Sequence, residues 1–196
     1  MGPAVRLIPV RPPHYVVEPA TVEDAERIAS LHAASWRSAY RGMYPDDFLD
    51  GPVDDDRARA WHARMRAPGA DRRLVLKAVA GDAMVGFACV LLDAEPAWGA
   101  LLDNLHVVPH LKGKGIGRRL FDDARRWVGT AAPGERMHLT VIERNHNARA
   151  FYDRLGGVVV ERKIVEVVPG TPLMVLRYSW QPLITHEPRI GADTGG

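Results

Sequence analysis

The chain has 196 residues, 46% of them hydrophobic and 26% charged, with a formal net charge of +2. That length suits one domain with a real apolar core, and so small a charge argues against a protein that works by neutralising nucleic-acid phosphates. A lone cysteine, Cys89, excludes an internal disulfide, and its place in the apolar run FACVLL suits a buried thiol better than a nucleophile or a metal ligand.

Residues 1–14 are proline-rich and aperiodic, a domain is expected over 15–180, and residues 181–196 form a tail that ends rich in glycine. No apolar run reaches the length of a bilayer span, and prolines stand where a signal peptide has its apolar segment, so a cytoplasmic location is expected. HYVVEPA reads as a first strand. Thr21, followed by an acidic turn, is an N-cap for a helix with Ala25, Ile28, Ala29, His32 and Trp36 on one side. The sequence continues as ASWRSAYRGMYPDDFL, where Trp36, Tyr40 and Tyr44 recur at four-residue steps until Gly42 and Pro45 break the pattern. Aromatics so spaced either pack a core or, at a loop, line a pocket. A second helix is expected from about Asp54 to Arg66. The acids Asp46, Asp47, Asp50 and Asp54 to Asp56 either draw a cationic amine or cap helices and face water. RLVLKAVA and MVGFACVLL make a hairpin across Gly81-Asp82.

Residues 101–126, LLDNLHVVPHLKGKGIGRRLFDDARR, run from an apolar strand through Pro109 into a glycine-rich turn and then an amphipathic helix. Gly113, Gly115 and Gly117 alternate with Lys114 and Ile116, which permits positive φ angles and lets an anion approach backbone N–H groups without meeting a Cβ. Lys112, Lys114, Arg118 and Arg119 surround the turn. Ile116, Leu120, Ala124 and Trp127 share one helix face, so the helix packs on a sheet and points its N-terminal N–H groups at the turn. A Walker A loop is excluded because no Ser or Thr follows a Gly-Lys pair here, and the glycines fall as G-x-G-x-G, not as the dinucleotide G-x-G-x-x-G.

Residues 139–157, LTVIERNHNARAFYDRLGG, give a strand, an asparagine, a short helix and a glycine stop. Asn145 and Tyr152 are about two helical turns apart, roughly 10 Å along one face, and can line one groove. Read alone, Asn145 is an N-cap and Tyr152 an ordinary half-buried aromatic. Ala148, Phe151 and Leu155 form the docking stripe, and Gly156 suits the left-handed residue that ends a helix. Two more strands, VVVERKIVEVV and LMVLRYSW, are hinged at Pro169-Gly170.

Together the two motif segments resemble the GNAT superfamily of acyl-CoA N-acyltransferases, in the manner of a bacterial single-domain member. The first is similar to its pyrophosphate-binding pattern (Q/R)-x-x-G-x-(G/A), with Lys112 where Gln or Arg is usual. The second matches N-x-x-A-x-x-x-Y at Asn145, Ala148 and Tyr152. The resemblance implies an α/β (α+β) fold: a mixed, mostly antiparallel central sheet with helices on both faces, in the order β-α-α-β-β-β-α-β-α-β-β. It implies that the strands before the glycine turn and before Asn145 start parallel and then splay. It also implies acetyl-CoA as cofactor, with its diphosphate at Lys112, Gly113, Lys114, Gly115, Ile116, Gly117 and Arg118. The pantetheine arm would pair with the backbone of Leu105, His106 and Val107, beside Asn145, Ala148 and Tyr152.

Acetyl transfer to an amine needs a neutral nitrogen, donors for the developing oxyanion, and a proton for the leaving thiolate. By resemblance Tyr152 supplies that proton. A backbone N–H at Val107 would polarise the carbonyl, and one such donor is worth about 3 kcal/mol. The strand glutamate that many members use as base is replaced by Leu101. Asp103, on the same side by the period of two, is the first choice of base. His106 has the opposite parity and reads as a packed strand histidine, His138 is a third option, and transfer through water or capture of a neutral amine are the others. Trp36, Tyr40 and Tyr44 are the expected substrate pocket, and W-x-x-x-Y-x-G resembles one bacterial branch of the family. The expected function is acetyl-CoA-dependent N-acetyltransfer to a primary amine of a small molecule or peptide by direct attack on the thioester. The alternatives are a non-catalytic acyl-CoA sensor and, behind it, a nucleotide-binding enzyme. Nucleic acid, membrane and metal are not expected partners, and the sequence leaves room for a homodimer.

Overall fold

The computed structural model describes residues 14–183. The two expected extensions, 1–14 and 181–196, therefore fall almost wholly outside the described residues. A seven-stranded sheet has the order β1-β2-β3-β4-β5-β7-β6. Its strands are β1 Val16–Pro19, β2 Arg73–Ala80, β3 Ala83–Glu95, β4 Gly99–Val107, β5 Met137–Ile142, β6 Val158–Val168 and β7 Thr171–Trp180. Every neighbouring pair is antiparallel except β4 and β5. The hairpin turns fall at Gly81 and Gly170, both with positive φ, where the sequence puts them.

Helices cover both faces. α1 (Ala25–Ala39) and α3 (Val53–Arg66) lie on one side, joined by the short α2 (Asp46–Asp50), which sequence periodicity does not anticipate. Thr21 is the expected N-cap and forms a capping box with Asp24, but it caps a single 3-10 turn over Val22–Asp24 ahead of α1. Ile28, Ala29 and Leu31 of α1 pack with Trp61 of α3 onto Val75, Phe87 and Cys89. On the opposite face lie α4 (Ile116–Ala131) and α5 (His146–Arg154). Ile116, Leu120, Phe121, Ala124 and Val128 of α4 bury against Val85, Ala88, Val90, Ala100 and Leu102. Each large side chain so buried contributes about 1.5–3 kcal/mol. Gly86 is where β3 passes beneath α4: a Cβ there would come within 2.9 Å of the His106 carbonyl and 3.2 Å of Leu120.

The parallel contact of β4 with β5 is brief. It consists of Ala100 opposite Met137 and Leu101 opposite His138, after which the two strands part while β5 stays paired with β7 through Ile142. A fork therefore opens in the middle of the sheet, flanked by α4 and α5 on one face and by α1 and α3 on the other.

Candidate active site

Two strands and four helix ends meet at the fork. On its β4 arm, Cys89 faces Asn104 and Val90 faces Leu102, so Asp103 is an extra residue, a β-bulge just past the last β4–β5 pair. The bulge overturns the parity expected from a regular strand. Asp103 reaches Arg64 of α3 at 2.5 Å, and the His106 ring lies 4.5 Å from that of His32 in α1. Both side chains thus face the α1–α3 side. Beyond the bulge the ladder is regular, and Val108 donates its N–H to Val85 at 3.0 Å. Because backbone groups alternate between the two edges of an antiparallel strand, His106 also turns its N–H and C=O toward β3, whereas Leu105 and Val107 turn theirs into the fork. Of the three residues expected to offer backbone to a pantetheine arm, Leu105 and Val107 are aimed to do so and His106 is not.

At the mouth of the fork, Pro109–Leu111 forms one 3-10 turn and Lys112 is extended. Gly113 and Gly115 then take φ of +78° and +85°. Nothing lies within 4 Å of where a Cβ of Gly113 would stand, and only the Tyr15 hydroxyl, at 4.0 Å, approaches that of Gly115. Gly117 departs from expectation: it is an ordinary helical residue of α4, close to Phe151 and Val107. Among the described residues, the N–H groups of Gly113, Lys114, Gly115, Ile116 and Gly117 have no hydrogen-bond partner, and Lys112 and Lys114 make no ion pair. Arg118 and Arg119 are joined to Asp122 and Asp123 one turn on. The result is an exposed, concave run of donors at a helix N-terminus with two free cations beside it, which fits a diphosphate.

Across the fork, Asn145 caps α5, its Oδ1 accepting from the Ala148 N–H at 3.1 Å. Ala148 and Tyr152 follow on the side that packs toward α4. The Tyr152 ring sits 5.3 Å from Phe151 and 5.9 Å from both Tyr178 and Trp180. Burial raises the Tyr152 phenol above the ordinary tyrosine range, and nearby Tyr40, from the other face of the sheet, raises it further. Tyr152 is therefore protonated throughout the neutral range.

The α1–α3 side has three of the expected aromatics in unequal places. Trp36 and Tyr44 are stacked 5.3 Å apart and buried with Leu49, Val53, Ile142 and Val175, which makes them core. Tyr40, the C-cap of α1, is only partly buried and sits at the edge of that cluster. His32 accepts from the Trp61 indole at 2.9 Å, and burial, then the charges of His106, Arg57 and Arg64, hold it well below the usual histidine range. His106 is pushed down to about 3 by burial, with Lys112 and Arg57 adding to the shift. His138 lies below the fork, fully buried against Arg177 at 2.7 Å and pushed down to about 4, mainly by burial.

Asp103 is held by Arg64 and by the Asn104 amide, both on Oδ2, which leaves Oδ1 without a partner among the described residues. The acidic run is tied up in part by arginines: Asp46 and Asp50 with Arg41, and Asp54 with Arg37. Asp47 and Asp55 are exposed and make no ion pair among the described residues, so the run is only partly neutralised. Sequence reasoning missed Arg57, whose guanidinium carbon lies 4.3 Å from the centre of the Trp36 ring. The helical step from Arg57 to Arg64, two turns along the face of α3 that packs on the sheet, was the available signal. Cys89 is buried and its thiol is pushed up to about 12 by that burial, as inert as its apolar context implies. Two surface hollows lie elsewhere, one on α3 around Arg59 and His62 and one beside Arg27 and Met84. No helix among the described residues is long and apolar enough to cross a membrane.

Comparison with known proteins bears on this geometry. The model of the acetyltransferase (GNAT) family matches residues 33–157, which include the bulge, the glycine turn and α5. A search of curated protein sequences finds no match. Among solved structures, the chain is similar to the PaiA N-acetyltransferase of Thermoplasma acidophilum in complex with coenzyme A, at 19% identity and a TM-score of 0.68 over 86% of this chain and 99% of that one. The acetyltransferase YncA of Salmonella typhimurium, solved with acetyl-CoA, gives 18% identity and 0.64 over 91% and 99%. An acetyltransferase from Thermus thermophilus gives 23% and 0.61 over 88% and 99%. The chain belongs to the GNAT acetyltransferase family and is an N-acetyltransferase with acetyl-CoA as its cofactor.

Proposed function

We propose that this enzyme moves the acetyl group to a primary amine of a small molecule or peptide, and that the amine attacks the thioester directly within the fork. The observation that carries the reading is the continuity of an open diphosphate cradle at residues 112–118 with a fork whose Val107 and Leu105 backbone faces inward. Acetyl-CoA would supply an activated acyl thioester. Lys112, Lys114 and Arg118 bring positive charge to the diphosphate, and the N–H groups of residues 113–117 receive its oxygens. Leu105 and Val107 pair with the pantetheine amides, Asn145 and Ala148 form the opposite bank, and the Val107 N–H polarises the carbonyl.

Tyr152 holds a proton for the sulfur. Its raised phenol is a weak acid in isolation, but the burial that raises it also raises a thiolate formed beside it, so the two stay matched. Asp103, paired with Arg64, accepts the amine proton at Oδ1, directly or through one water. Neutral His106 and His32 form a wall that takes no proton near pH 7.

The test is thiol release from acetyl-CoA across a library of amines, with Tyr152→Phe alongside. Amine-dependent release is expected, with kcat about 100-fold lower in the variant and acetyl-CoA affinity unchanged. Tight coenzyme A binding with no release by any amine would instead favour an acyl-CoA sensor.

A further inference from the structure

Resting on the reading of the fork as the place of acetyl transfer, we propose that the acceptor is an amino acid or close analogue whose carboxylate is bound by Arg57. The Arg57 guanidinium lies over the Trp36 ring, with its carbon 4.3 Å from the ring centre, and the side chain is only 19% exposed. Trp36 is in turn 5.4 Å from both Tyr40 and His32, and His32 is 4.5 Å from His106 on the opened arm of β4. The guanidinium therefore stands on the wall between the end of α1 and the fork. Its charge is felt across that wall: it lowers His32 and His106 and opposes the rise of Tyr40 and Tyr44.

The donor that Arg57 has to spare gives the chemical class. On the α1–α3 side Asp46 and Asp50 share Arg41, Asp54 pairs with Arg37, and Asp103 pairs with Arg64. Arg57 is paired through Nε and Nη2 with Asp56, its own neighbour in the chain, while Nη1 has no partner among the described residues. An acceptor without an anionic group would leave that Nη1 donor without a partner. An acceptor carrying a carboxylate a few bonds from its amine would pair with it while the nitrogen enters the fork. A guanidinium already held over an aromatic ring and tied to Asp56 loses little freedom on doing so.

The experiment uses the full chain, acetyl-CoA and matched pairs of acceptors: each L-amino acid against the amine that remains when its carboxylate is removed, such as phenylalanine with phenethylamine and histidine with histamine. Preference for the carboxylate-bearing member of a pair is expected. Arg57→Gln should lower kcat/KM for the amino acid roughly 10- to 100-fold, through the acceptor KM, with acetyl-CoA KM unchanged. The decarboxylated partner should lose far less, and Arg57→Lys should recover part of the preference. Better turnover of the decarboxylated amines, an equal loss for both members, or acetyl-CoA binding with no amino acid turned over would each overturn the acceptor assignment. Calorimetry that detects no acetyl-CoA binding at all would instead sink the reading of the fork beneath it.

Discussion

The glycine turn before α4 and the aromatic wall at the end of α1 border the same fork, yet they are assembled in opposite ways. The turn is one continuous stretch, residues 109–118, in which local backbone angles at Gly113 and Gly115 create the function. The wall gathers Trp36 and Tyr40 from α1, Arg57 from α3, and His106 from β4, each held by packing against the others. A site made by local geometry tolerates change elsewhere and fails when its own backbone is altered. A site made by packing responds to substitution in graded steps, because neighbours share the load.

Gly115→Glu should sharpen that contrast most. At φ +85° a side chain is strained, and it projects bulk and negative charge into the cradle toward Tyr15. Coenzyme A affinity by calorimetry should fall at least about 100-fold, while circular dichroism and the acid unfolding profile of the wall stay as they were. Unchanged affinity would mean that the turn does not hold the diphosphate.

Asp103→Asn should act on the other side alone. A lost proton acceptor matters most where the acceptor amine arrives charged, so kcat should drop about tenfold at pH 6 and less toward pH 9. Acetyl-CoA affinity should not move. Full activity at pH 6 would assign the proton to water.

A smaller effect concerns acid stability. His106 and His138 are neutral in the fold with values of about 3 and about 4, against about 6.5 in the unfolded chain. As pH falls below about 6.5 the unfolded chain takes up protons that the fold refuses. Their contribution to stability is thus complete above about 6.5 and is lost progressively until about pH 3–4. The melting temperature should fall between pH 7 and pH 4, and His106→Gln should flatten part of that fall, by about 2–4 °C for each kcal/mol removed. An identical slope in the variant would show that His106 titrates normally in the fold.

The order of elements, both hairpin turns, the glycine turn and the Asn145-to-Tyr152 helix were legible in the sequence, because each follows from local periodicity, capping or glycine placement. The β4–β5 opening was legible only through family resemblance. What the sequence could not supply was the bulge at Asp103, which depends on the partner strand and which moved His106 to the same face as Asp103. Nor could it separate Trp36 and Tyr44, which are core, from Tyr40, which borders the fork, since all three share one helical spacing. The pairing of the acids with Arg37 and Arg41, and the position of Arg57 over Trp36, likewise waited on three-dimensional contacts. Local backbone chemistry is written in neighbouring residues. Facing, burial and charge balance are settled only when distant segments exclude water together.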